Sequence, residues 1–209
     1  MSDLPIRKPS GQPERILPST VGPSVTVWTT EKVGMIAFLC SEAAFFATLI
    51  VAYVTYIGAS TNGPQPSQSL DLVPAIVNSV FLLTSSVTIM LAVKSFPSAK
   101  PKRFVVWMAI TITLGLLFLA STAWEWSGLI GNYGLTIGRN LFGSTFFTLI
   151  GFHTVHVTVG LGVMALFLWK RLRNQFSLDS QAPELLSWYW HLVDAVWVVI
   201  VIVVYVLGH

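Results

Sequence analysis

The chain is poor in cysteine and poor in charge. Cys40 is the sole cysteine among 209 residues. That excludes a disulfide scaffold and any iron–sulfur cluster held by this chain alone. Charged residues make up 10% of the chain, against about 25% in an ordinary soluble domain. With 54% hydrophobic residues and a mean hydropathy of +0.71, too little polar surface exists to cover a water-facing globule. A soluble enzyme, a disordered tail and a coiled coil are excluded. Also missing are a nucleotide-binding glycine motif, a metalloprotease His–Glu pair and a Gly-x-Ser-x-Gly elbow. There is no pair of broken helices in matching halves and no internal repeat. The net charge of +3 and pI of 9.2 do not indicate a nucleic-acid partner. The positive charges fall in short blocks between apolar runs, which is a membrane pattern.

What is present is a set of long apolar stretches. A bilayer core needs about 20 apolar residues per helix, and five stretches qualify, at 33–57, 73–93, 104–124, 145–169 and 187–207. Residues 1–32 carry Pro5, Pro9, Pro13, Pro18 and Pro23 with mixed charges and no apolar core. They read as an extended tail, not a secretory signal, ahead of a five-helix membrane domain at 33–209. The fold class is therefore all-α, a polytopic bundle.

Lys and Arg positions give its direction. Arg7, Lys8, Arg15 and Lys32 precede the first span. Lys94, Lys100, Lys102 and Arg103 follow the second, and Lys170, Arg171 and Arg173 follow the fourth. Of the 12 basic residues, only Arg139 falls on the other side. The positive-inside rule then places the N-terminus inside and the C-terminus, Gly208–His209, outside. Gly63-Pro64, Pro66, Asp71 and Pro74 punctuate the first connection. Pro97 and Pro101 fix the basic turn, and Asn132, Gly134 and Gly138 mark the loop before the fourth span.

Ionisable groups at membrane depth are costly, about 2.5–3.5 kcal/mol at a span centre on insertion scales. They are therefore expected to face the protein. Glu42 lies near the middle of the first span, with Phe45 and Phe46 on its face, and requires a buried partner or a retained proton. Two readings stand: proton- or lipid-linked chemistry, or a hydrogen bond between helices. His153 and His156 share a face of the fourth span. Thr154, Thr158 and Gly162 form a small-residue ridge on that helix, with Gly160 in register with the histidines, so the fourth span is expected to be buried on two faces. Trp188 and Tyr189 suggest an interfacial belt. Trp190, Asp194 and Trp197 share one face of the fifth span, and His191 stands three residues before Asp194, so a local His–Asp pair is expected. Asn78, Ser85 and Ser86 read as interhelical glue, and Cys40 as inert. A stand-alone metal or haem protein using His153, His156 and His191 is an alternative. Against it, His191 lies about 10 Å or more from the other two along the membrane normal at 1.5 Å per residue.

The order of these residues resembles subunit III of the haem–copper oxidases. The strings are Ser41-Glu42 with Phe45-Phe46; Pro74 with Asn78; Glu125-Trp126; Gly143-Ser144-Thr145-Phe146-Phe147, Gly151-Phe152-His153 and His156-Val157; and Trp188-Tyr189-Trp190-His191, Val193-Asp194 and Val196-Trp197. The resemblance runs from about residue 33 to 205. The chain looks like the five-helix form lacking the first two helices of longer members, and Thr122 stands where the family usually has Gln. The resemblance implies a non-catalytic subunit without a catalytic or metal site, the haem and copper lying on partner subunits. It implies subunits I and II as partners, a small subunit IV as a further candidate, and bound phospholipid. It also implies support of proton uptake, and a bacterial plasma membrane as the location. Glu42, Glu125, His153, His156, Trp190, His191, Asp194 and Trp197 are then candidates for lipid binding or the subunit I interface. Lys100, Lys102, Arg103, Lys170, Arg171 and Arg173 are candidates for headgroup contact or for topology alone. Cytochrome c is the expected electron donor by family prevalence, with quinol as the alternative.

Overall fold

The computed structural model describes residues 29–59, 72–96, 101–173 and 180–207. The tail up to residue 28 lies outside this description. So do Gly63, Pro64, Pro66 and Asp71 of the first connection, Pro97 and Lys100 of the basic turn, and Gly208–His209.

Five helices long and apolar enough to cross a membrane account for nearly all of the described chain, and no strand occurs among the described residues. They are α1 (Thr30–Thr55), α2 (Leu72–Ser95), α3 (Pro101–Tyr133), α4 (Leu141–Leu172) and α5 (Ala182–Val201), the last continued by a wider π-turn over Ile202–Val206. α1, α2 and α5 match their apolar stretches to within a few residues. α3 and α4 are longer than expected, at 33 and 32 residues. At 1.5 Å per residue each spans about 50 Å, well beyond a hydrocarbon core of about 30 Å. Hydropathy marks the lipid-buried stretch, but the backbone ladder continues into polar turns until something breaks it. Glu125 and Trp126 therefore sit within α3, not in a loop. The break comes at Gly134, whose φ of 61° is a left-handed conformation that glycine adopts without steric cost. There Gly134 N donates to Ile130 O and Leu135 N to Leu129 O. α4 restarts at once, capped by the Asn140 side chain accepting from Gly143 N at 2.7 Å.

α2, α3, α4 and α5 pack in a ring, each against the next, with α2 and α3 in the most extensive contact; α1 lies outside the ring, against α4 and α5. Leu82, Ile89, Met108, Phe118, Phe146, Trp190 and Trp197 fill the ring's interior, while α1 contributes only Phe46 and Tyr53 to the buried set. At one end Thr29 Oγ1 donates to Gln181 Oε1 and Lys32 Nζ to Glu184 Oε1, both at 3.0 Å, tying the starts of α1 and α5 together. At the same end Arg171 lies over the Phe96 ring, which packs on Phe104. The basic turns thus gather at one end, here called the basic end.

The small-residue ridge does not behave as expected. Gly162 has nothing within 4 Å of a Cβ position, and Thr158 is exposed, so the ridge faces away from the bundle. The close approach occurs at Gly160, where a Cβ would meet the Trp190 ring at 2.9 Å and Tyr189 at 3.1 Å. Two bulky rings on α5 select the glycine, and spacing along α4 alone does not show where those rings lie. Tyr189 itself is buried, and its hydroxyl donates to His156 O at 2.9 Å. Gly160→Ala is expected to lower the stability of the solubilised protein by about 1–3 kcal/mol through overpacking. Gly162→Ala should change it by less than about 0.5 kcal/mol. Thermal unfolding of the two variants side by side checks the contrast.

Candidate functional site

Most hydrogen-bonded polar side chains between helices fall in two clusters. The first joins α1 to α4. Glu42 Oε2 lies 2.9 Å from His156 Nε2, and His156 Nδ1 lies 2.7 Å from the Phe152 carbonyl of its own helix. A carbonyl only accepts, so Nδ1 carries a proton. The Nε2–Oε2 contact then needs one more, held by the imidazole or by the carboxyl. In both forms the pair as a whole is neutral, which is what a low-dielectric surrounding requires. Phe45 and Phe46 flank it, with ring centroids 6.2 and 4.9 Å from His156. The partner expected for Glu42 is therefore His156, with both side chains partly exposed.

The second cluster joins α2 to α5. Trp190 Nε1 donates to Ser85 Oγ at 2.8 Å and Trp197 Nε1 to Ser79 Oγ at 3.1 Å. Between them Ser86 Oγ donates to Asp194 and sits 2.9 Å from His191 Nδ1, while His191 Nε2 is 3.1 Å from Ser187 Oγ. Trp190, Asp194 and Trp197 thus share a face, as their spacing predicts, and that face docks on α2. The local His191–Asp194 pair is corrected: Ser86 stands between the two and relays the contact. Spacing on α5 brought the residues together but carried no sign of a hydroxyl arriving from another helix.

His153 and His156 do not act together. His153 is fully buried, stacked on Trp197 at 5.2 Å with Phe118 and Phe46 edge-on, and its ring nitrogens have no hydrogen-bond partner among the described residues. His191 faces α2 and His156 faces α1. Among the described residues, no group of three or more His, Cys, Asp or Glu side chains is placed to hold a metal ion. Glu125 accepts from the Tyr205 hydroxyl at 2.8 Å. The π-turn brings about that contact: Leu207 N donates to Ile202 O, five residues back, and Val203, Val204 and Tyr205 are all buried. Sequence reasoning missed Tyr205 and Ser79. The indole acceptors Ser79 and Ser85 lie six apart, one short of the seven between Trp190 and Trp197, and that near-match was the available signal for the second.

At the basic end Lys102, Arg103 and Lys170 are exposed, and Arg173 lies 4.5 Å over the Trp169 ring. Cys40 is exposed on α1. Apolar grooves open on the outer surface of the bundle. One of about 650 Å³ runs between α3 and α4 past Trp126, Phe147, Gly151 and Phe152. Another of about 350 Å³ lies between α1, α4 and α5 past Phe38, Val163 and Tyr189. Phe152 lines the first and packs on Phe45, which in turn flanks His156, so two phenyl rings stand between that groove and the Glu42–His156 pair.

The family model for cytochrome c oxidase subunit III matches residues 22–209. The chain belongs to that family. It is 32% identical to the cytochrome c oxidase subunit 3 of Alkalihalophilus pseudofirmus, covering 82% of this chain and 84% of the relative. It is 34% identical to that of Corynebacterium diphtheriae, covering 83% and 86%, and 36% identical to that of Synechocystis sp., covering 83% and 74%. The oxidase subunit is thus a multi-pass membrane protein belonging with the other subunits of a haem–copper oxidase, an oxidoreductase complex.

Ser86 is the residue on which the second cluster turns. Ser86→Ala removes the hydroxyl shared by Asp194 and His191, and is expected to cost about 1–3 kcal/mol; Ser86→Thr should restore most of it. Thermal stability of the purified oxidase is the readout, and an Ala variant matching the parent would contradict the reading.

Proposed function

We propose that this subunit is non-catalytic: it stabilises subunit I, supports proton uptake from the inner side and holds phospholipid, while haem and copper reside on partner subunits. The observation that carries this reading is the neutral Glu42–His156 pair, with an apolar groove on the far side of Phe45 and Phe152. A neutral polar pair screened from such a groove by two phenyl rings suits an acyl chain lying along α4. It also suits contact with a neighbouring apolar subunit without exposing a charge to lipid.

Cytochrome c is the electron donor in this reading, supported by the name its relatives share. Subunits I and II, with a small subunit IV, are the protein partners. The membrane is the plasma membrane of a bacterium, and the basic end faces the cytoplasm. Support for that orientation is the gathering of Lys32, Lys94, Lys102, Arg103, Lys170, Arg171 and Arg173 at one end. Those side chains are also suited to anionic headgroups.

Purification by a tag on this chain tests the assignment. The expected result is a complex with subunits I and II, a haem spectrum and a CuA signal. A complex without CuA would point to a quinol oxidase, and a haem on the isolated chain would overturn the non-catalytic role. Within the complex, Glu42→Ala should leave the haem spectra intact while shortening sustained turnover and lowering retained phospholipid. Unchanged turnover and lipid content would contradict the role given to the pair.

A further inference from the structure

Four helices direct buried polar groups into the half of the bundle away from the basic end, and none of these groups has a hydrogen-bond partner among the described residues. They are the Tyr53 hydroxyl on α1, both amide atoms of Asn78 on α2, the Thr122 hydroxyl on α3 and both ring nitrogens of His153 on α4. Their residues are 2%, 0%, 2% and 0% exposed. No side chain of a neighbouring subunit reaches atoms enclosed to that degree within this chain.

The packing places these groups at successive levels of that half. Trp197 stacks on His153 and donates to Ser79, the neighbour of Asn78, so Asn78 stands at the level of His153. Phe118 packs edge-on to both rings, and Thr122 lies one turn, about 6 Å, further along α3. Tyr53 is seven residues beyond Phe46, which also touches His153, so it lies two turns further on along the same face of α1. At the far end are Glu125 and its Tyr205 donor. At that far end opens a cavity of about 200 Å³ lined by Pro74, Glu125, Gly128, Leu129, Asn132 and Tyr133. Pro74 is one turn from Asn78 along α2, and Glu125 three residues from Thr122 along α3.

An unpartnered amide in an apolar interior costs about 1–3 kcal/mol by mutational measures. A water molecule with two to four polar partners removes that cost. We infer that this half of the bundle is a water-binding site: a file of internal waters enters from the Glu125 cavity and bonds to Thr122, Asn78 and Tyr53, reaching inward toward His153. The residues supply both kinds of partner a water needs. The Asn78 amide donates and accepts, the two hydroxyls do both, and a neutral imidazole offers one donor and one acceptor.

The test is ordered solvent in a high-resolution map of the complete oxidase. The expected result is at least one water bonded to the Asn78 amide and to a second group of the set. Asn78 bonded directly to protein groups, with no solvent density between α2 and α3, would overturn the proposal. Asn78→Leu provides a second reading. It fills the space and displaces the water, leaving Thr122 and His153 unpaired, so the unfolding midpoint should drop by a few degrees. An unchanged or raised midpoint would mean that Asn78 is simply unpaired, and would overturn the proposal as well.

Discussion

Polar groups inside a bilayer must find their partners in protein or in water that the protein encloses, because lipid offers none. This constraint organises the whole bundle. Apolar packing alone discriminates weakly between helix arrangements in lipid, since the tails are as apolar as leucine. What distinguishes one arrangement is whether Glu42 meets His156, whether Asp194 meets Ser86, and whether the two indole N–H groups meet Ser85 and Ser79. The first contact fixes α1 on α4, and the others fix α5 on α2.

The two clusters do different work because their surroundings differ. The α2–α5 cluster lies within the ring, where Trp190, Asp194 and Trp197 are almost wholly buried and each bonds to a serine of α2. It serves as a lock on the four-helix core. The Glu42–His156 pair sits where the outlying helix meets that core, with its side chains about a fifth exposed in this single chain. It therefore adjoins whatever covers that surface in the assembled oxidase. α1 adds only two buried residues, so this pair and the Thr29–Gln181 and Lys32–Glu184 contacts at the basic end contribute a large share of its attachment.

Much of this was legible in the sequence. Bilayer thickness sets a length scale, so the five spans could be read directly, and the ordered anchors around Glu42, His153 and Asp194 pointed to the family. The ends of α3 and α4 were not legible, because hydropathy falls at the lipid boundary while the helical ladder continues to Gly134. Partners across helices were also hidden. The 3.6-residue period puts His191 beside Asp194 but is silent on Ser86, which arrives from α2. Gly160 and Gly162 look alike in a single helix, and only the position of Trp190 separates the packed glycine from the open one. Tyr205 depends on a π-turn, a change of backbone winding without a residue pattern of its own.

The central claim is that the intramembrane pair energetically couples α1 to the bundle. A double-mutant cycle on Glu42→Ala and His156→Ala measures it most directly, through the thermal stability of the purified oxidase. Each single variant should be destabilised, and the double variant should be no worse than the weaker single, giving a coupling of about 0.5–3 kcal/mol. Fully additive effects, with no coupling between the two positions, would contradict the account.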